Sequence, residues 1–172
     1  MRTMFQIGDM IVHAHRGAGQ IVDIEKLQCL GSSKEYYAIK LLDGTGTRVW
    51  VSIQDAEKGE LRQPILEEKL FQVWRILRDE PQDLPSDHHE RYKIIEEKLA
   101  SGDPLHVAEA MRDLAWKNDV VRTLTGEGRR LYQRTIDVLS SEVAVSEGGS
   151  LESVKSKISE MVSANIAARV PA

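Results

Sequence analysis

TRVWVSIQDAEKGELRQPILEEKLFQVWRIL, residues 47–77, changes its period part-way along, and that change decides the fold. At its start Thr47, Val49 and Val51 alternate with Arg48, Trp50 and Ser52. A two-residue repeat belongs to a half-buried strand, with Val49 and Val51 turned inward and Arg48 and Trp50 outward. Beyond Pro64 the apolar residues Leu66, Leu70, Val73 and Leu77 recur every three or four positions, the spacing of one helix face. Proline suits a first helical turn, where its missing N–H needs no partner. A helix is therefore expected from Pro64, with Glu67 and Glu68 near its positive end.

Upstream, five short apolar runs read as strands: Phe5 to Ile7, Met10 to Val12, Ile21 to Ile24, Tyr36 to Leu41 and Thr47 to Val51. Gly8-Asp9, Gly17 with Gly19, Gly31-Ser32-Ser33 and Asp43-Gly44-Thr45-Gly46 separate them. Five such strands cannot make a large sandwich. A small, strongly curved barrel with glycines at its corners is expected.

Downstream the pattern is helical throughout. Pro81 and Pro85 end the first helix and mark a linker. A second helix carries Tyr92, Ile95 and Leu99. After the Ser101-Gly102 break, Asp103 caps a third, with Pro104 at its first position and Val107, Met111 and Leu114 on one face. Thr125 caps a fourth, burying Leu131, Val138 and Leu139. Ser150 begins a fifth, with Leu151, Val154, Ile158 and Val162. Five short amphipathic helices bury their stripes best as a compact bundle. The fold class is thus α+β, with a strand-rich part before a helical part.

The charge balance narrows the function. The chain carries 23 Lys and Arg against 27 Asp and Glu, a formal charge of −4. A free-standing DNA binder needs a basic excess. Nucleic-acid contact is therefore local, weak or supported by a partner. Residues 86–134 carry nine cations and nine acids, including Arg129, Arg130 and Arg134, and are the least unfavourable region for a phosphate backbone.

Several chemistries find no pattern. Cys29, the single cysteine, allows neither an internal disulfide nor a thiolate cluster, and it has no identifiable catalytic base. His13 and His15 stand two apart and His88 and His89 are adjacent, with no further ligand at convincing spacing. They and His106 read as turn, surface or capping residues. HRGAGQ is not a phosphate loop, since no GK[ST] follows. No catalytic, metal or cofactor residue is assigned, and no enzyme is expected. The start MRTMFQIGDMIVHAHRGAG lacks a signal-peptide pattern, and no apolar run is long enough to span a membrane. Cytoplasm is the expected location. Trp50 beside Arg48 has the composition of a protein-binding hot spot, unless the helical part covers it. Trp74 and Trp116 read as packing residues.

FQIGDMIVHAHRGAG (5–19), KEYYAIKL (34–41), TRVWVSIQDA (47–56), RYKIIEEKLASGDPLHVAEAMRDL (91–114) and LTGEGRRLYQRTIDVLSSEVA (124–144), taken in this order, resemble the CarD/CdnL family of bacterial RNA polymerase-binding transcription regulators. The resemblance implies a Tudor-like barrel over residues 1–60 that binds the β subunit of RNA polymerase within the holoenzyme. It implies a helical domain over residues 64–172 that touches promoter DNA at the upstream edge of the −10 region. Together they would stabilise the open promoter complex by contacts that do not read sequence. The protein would then act at the nucleoid through the polymerase, without a membrane or cofactor.

By the same resemblance Arg48 and Trp50 face the polymerase, and Arg91, Lys93 and Lys117 sit at basic DNA-side positions. His88 stands where the family often carries a tryptophan wedge, and it is a smaller, more polar wedge. Glu90 replaces a basic residue and opposes a phosphate. A polymerase-binding adaptor with little direct DNA contact is the alternative.

Overall fold

The computed structural model describes residues 4–121 and 124–171. Strands β1 (Met10–His13), β2 (Gly17–Cys29), β3 (Ser32–Leu41), β4 (Arg48–Ser52) and β5 (Leu61–Arg62) form one antiparallel sheet in the order β4-β3-β2-β1-β5. Ile11, Ile21, Tyr37, Ile39, Val51 and Leu61 bury its inner face. The segment from Phe5 to Ile7 is not a strand. Phe5 instead lies buried with its ring edge-on to Tyr37, centroids 6.0 Å apart. Nor do the glycines break β2. A Cβ on Gly19 would stand 2.7 Å from the Ile39 side chain and 2.9 Å from the Lys40 carbonyl, so glycine here permits close pairing with β3.

The sheet is open, which corrects the expected Tudor-like barrel. Closure would require β4 to meet β5. Instead β4 pairs only with β3, and β5 reaches only β1, through Val12–Arg62 and His13–Leu61. The intervening residues 53–60 coil into helical turns. Ser52 caps them by accepting the Asp55 N–H. Ile53 and Ala56 from these turns join the sheet's core, filling space that a closing strand would occupy. A two-residue β5 is also too short to bridge the gap.

The helices are α1 (Leu70–Arg78), α2 (His88–Ala100), α3 (Pro104–Trp116), α4 (Gly126–Glu147) and α5 (Leu151–Arg169). Val73, Leu77, Ile95, Leu99, Met111, Leu114, Leu139 and Ile158 meet in one apolar cluster. Asp103, Thr125 and Ser150 each cap a helix by accepting a backbone N–H, as their positions predict. Trp74 and Trp116 pack half-buried against this cluster, and Lys157 Nζ lies 4.1 Å over the Trp74 ring. The first helix starts later than Pro64. Residues 63–66 run without regular structure, a 3-10 turn follows at Glu67–Lys69, and Leu66 is exposed rather than core. No helix among the described residues is long and apolar enough to cross a membrane.

One ion pair explains the late start. Glu142 of α4 is 2% exposed and accepts both guanidinium Nη atoms of Arg62, at 2.6 and 2.8 Å. The same carboxylate accepts the Ile65 N–H at 2.9 Å, which holds the chain extended as it leaves β5. Arg62 also donates to the Gly102 carbonyl at 2.7 Å. A second tie runs from the Ala18 N–H to Ser141 Oγ at 2.9 Å. Gly17, with φ +84°, makes this approach possible: a Cβ there would lie 2.5 Å from Ser141 Oγ. Sheet and bundle are therefore locked face to face along α4.

Candidate functional site

The outer face of β4 is the first candidate surface. Strand pleating puts Val51 inside and half-buries Val49 against the same core, leaving Arg48 and Trp50 exposed. Trp50 is 47% exposed, so the helical bundle does not cover it. Its indole N–H donates to Glu25 Oε2 at 3.1 Å, across the neighbouring strands. The ring is thereby fixed while its face stays accessible. β4 also lies at a sheet edge. An ordered, half-exposed Trp beside an Arg loses little side-chain freedom on binding, which favours a protein partner.

The second candidate surface is the start of α2. Asp87 caps this helix by accepting the Glu90 N–H at 3.0 Å, and that hydrogen bond holds its carboxyl below the usual carboxylate range. His88 and His89 are exposed with ring centroids 4.1 Å apart, and Lys93 is exposed one turn beyond His89. Glu90 is exposed as well. The helix start thus offers two imidazoles between two carboxylates, with one ammonium group a turn further on.

Arg91 and Lys117 do not join this surface. Arg91 is 3% exposed and donates to the carbonyls of Pro85 and Ser86, at 3.0 and 2.7 Å. Lys117 is buried and pairs with Asp83 at 3.1 Å. Both bind the linker between α1 and α2. The Gln82 N–H donates to buried Asp113 Oδ1 at 2.9 Å, and Asn165 donates to the carbonyls of Leu77 and Asp79. A linker without regular structure leaves backbone groups in need of partners, and Arg91, Asp113 and Asn165 supply them, while Lys117 pairs with the Asp83 side chain. In this structure neither Arg91 nor Lys117 presents its charge at the start of α2. They position the segment that carries His88.

At the junction, His13 is buried beside Glu60, with 3.2 Å between Nε2 and Oε1. Burial outweighs the attraction of Glu60 and holds His13 below the ordinary histidine range. Its Nδ1 accepts the His15 N–H at 3.1 Å, so a neutral ring with its proton on Nε2 satisfies both contacts. Among the described residues, no group of three or more His, Cys, Asp or Glu side chains is placed to hold a metal ion.

Sequence reasoning overlooked Arg62, Ser141 and Glu142. Glu142 carried a signal, because it lies between Leu139 and Val143 on an apolar helix face.

Comparison with known proteins fits both halves of this architecture. The family profile "CarD-like/TRCF RID domain" matches residues 5–65, and "CarD, C-terminal domain" matches residues 72–159. The chain belongs to the CarD/CdnL family. It is 28% identical over 153 residues to "Putative transcription factor YdeB" of Bacillus subtilis (strain 168), covering 89% of this chain and 99% of that protein. Membership of the CarD/CdnL family carries a transcription-regulatory role, association with RNA polymerase and no catalytic activity.

Proposed function

We propose that this CarD/CdnL protein docks on the β subunit of RNA polymerase through the outer face of β4 and thereby holds its helical bundle on promoter DNA. The observation that carries this reading is Trp50, exposed, fixed by Glu25 and flanked by Arg48 on an edge strand. Residues 1–60 then form the polymerase-facing unit and residues 64–172 the promoter-facing one. The DNA contact lies near the upstream edge of the −10 region, and its effect is a longer-lived open complex. His88 occupies the wedge position and Lys93 contacts phosphate, while Arg91 and Lys117 hold the linker in place. The protein acts in the cytoplasm, at the nucleoid.

Tethering supports the weaker half of this reading. A chain of net charge −4 has little affinity for DNA by itself. Binding the polymerase raises the local concentration of the bundle at the promoter, so weak contacts suffice. A factor that binds the open complex more tightly than the closed one shifts the equilibrium toward open.

Asp87 and Glu90 favour a second reading, an adaptor that binds polymerase with little DNA contact. Asp87 borders His88 and Glu90 lies exposed two positions further on, and both carboxylates add negative charge to the helix start. Reconstitution with holoenzyme and promoter DNA separates the two. The proposed function predicts a polymerase-dependent footprint upstream of the −10 region and a lengthened open-complex lifetime. Polymerase binding without either change identifies the adaptor.

A further inference from the structure

Gly17 and Ser141 press the turn between β1 and β2 against the second half of α4. Beside this contact lies an open cleft of ≈ 720 Å³, with His15 and Arg16 from the turn on one wall and Arg130 and Arg134 from α4 on the other. We propose that this junction cleft grips the phosphate backbone of promoter DNA, with Arg16, Arg130 and Arg134 as its phosphate-binding groups. The proposal rests on the function assigned above and adds to it a DNA contact shared by sheet and bundle.

All three arginines are exposed, and among the described residues none has a carboxylate within ion-pair distance. Two acids, Asp43 and Asp137, also line the cleft, against its three arginines. Asp43 Oδ1 accepts the N–H groups of Thr45 and Gly46 and the Thr45 hydroxyl, at 2.7 to 2.9 Å. Asp137 pairs with Lys155 at 2.6 Å, which brings a fourth cation close. Arg130 and Arg134 stand one helical turn apart on α4. Like charges at that spacing repel, and a bound anion relieves the repulsion. Arg134 spends one donor on the His15 carbonyl, at 3.5 Å across the cleft, and keeps the rest of its fork for a phosphate oxygen.

The lining offers little to a protein surface. Its only apolar members, Leu41 and Val138, are buried. It has no aromatic anchor of the kind Trp50 supplies on β4, which favours a phosphate backbone over a protein partner. The walls are also fixed in advance by the Arg62–Glu142 pair, so little ordering is needed on binding. Thr47 lines the cleft immediately before Arg48, which sets the cleft alongside a polymerase docked on β4.

The test uses the full chain with cognate holoenzyme and promoter DNA. R130E/R134E and R16E are compared with wild type for polymerase affinity without DNA, and for open-complex lifetime across a salt series. K93E is the control for the α2 surface, and R130Q/R134Q repeats the test without adding negative charge. We expect unchanged polymerase affinity, a lifetime gain reduced about tenfold in R130E/R134E, and a flatter log–log salt dependence of that gain as fewer phosphates are neutralised. R130Q/R134Q should show the same change in slope with a smaller loss of lifetime. Unchanged lifetime and slope, with K93E impaired, overturns the cleft and leaves the DNA-binding function standing. Unchanged values in K93E as well defeat that function and the cleft with it. Weaker polymerase binding without DNA identifies the cleft as a protein contact and also overturns the proposal.

Discussion

The outer face of β4 and the start of α2 both display residues that the family resemblance marks for contact, yet the fold treats them in opposite ways. On β4 the two-residue repeat leaves no choice. With Val51 in the core, Trp50 must point out, and Glu25 then fixes its ring. At α2 the deciding force is the linker before the helix, whose carbonyls need donors. Arg91 turns inward to supply them, and Lys117 holds the linker from the far side. A basic residue at a matching sequence position is therefore free to face outward only where the backbone around it is already satisfied. By that criterion Lys93 qualifies and Arg91 does not.

The largest effect should come from breaking the lock that holds the two regions together. Glu142→Ala leaves the Arg62 guanidinium without its carboxylate partner and the Ile65 N–H without its acceptor. Arg62 keeps partial solvent access, so a loss near the lower end of the range for buried pairs is expected, about 3 kcal/mol, or roughly 6–12 °C in Tm. Thermal unfolding measures it. A change under a degree would mean that the junction does not hold sheet and bundle together.

Arg91 and Lys93 sharpen the contrast directly. Arg91→Ala removes two charge-assisted hydrogen bonds to linker carbonyls and should cost about 2 kcal/mol of stability. Lys93→Ala should leave Tm unchanged and shorten the open-complex lifetime instead. The reverse pattern would return Arg91 to the DNA surface. On the β4 side, Glu25→Ala frees the Trp50 indole N–H. It should weaken polymerase binding by about 1 kcal/mol, roughly fivefold, with the fold intact. Equal affinity would show that the orientation of Trp50 is not important.

The smallest effect concerns His13. Its folded form holds a proton less readily than the unfolded chain, because burial outweighs Glu60. Above the ordinary histidine value of about 6.5 both states are neutral, and His13 contributes no pH dependence. As pH falls below that value the unfolded chain takes up a proton that the folded one refuses, so stability declines toward the lowered folded value. Tm should therefore drop between pH 7 and 5, and the drop should be smaller in His13→Gln. An identical pH profile for the variant would remove His13 from the acid response.

The sequence made local features legible and left non-local ones hidden. Alternation at residues 48–51 and the caps at Asp103, Thr125 and Ser150 depend on neighbours a few positions away, and these readings match the structure. Barrel closure depends on whether β4 meets β5, and a helical turn with a two-residue strand settles that against closure. The helix start misread at Pro64 depends on Glu142, 77 positions beyond Ile65. The candidate site divides along the same line. The exposure of Arg48 and Trp50 follows from strand period. The inward turn of Arg91 and Lys117 follows from hydrogen bonding in the linker, which no spacing rule encodes.

The central claim is that β4 is the polymerase-binding face, and the affinity of Trp50→Ala for RNA polymerase tests it most directly. A half-exposed Trp contributes little to the fold, so Tm should hold. Removing a hot-spot Trp should cost about 2 kcal/mol of binding, roughly a 30-fold rise in Kd for the holoenzyme. A folded variant that binds polymerase as tightly as wild type would contradict the account.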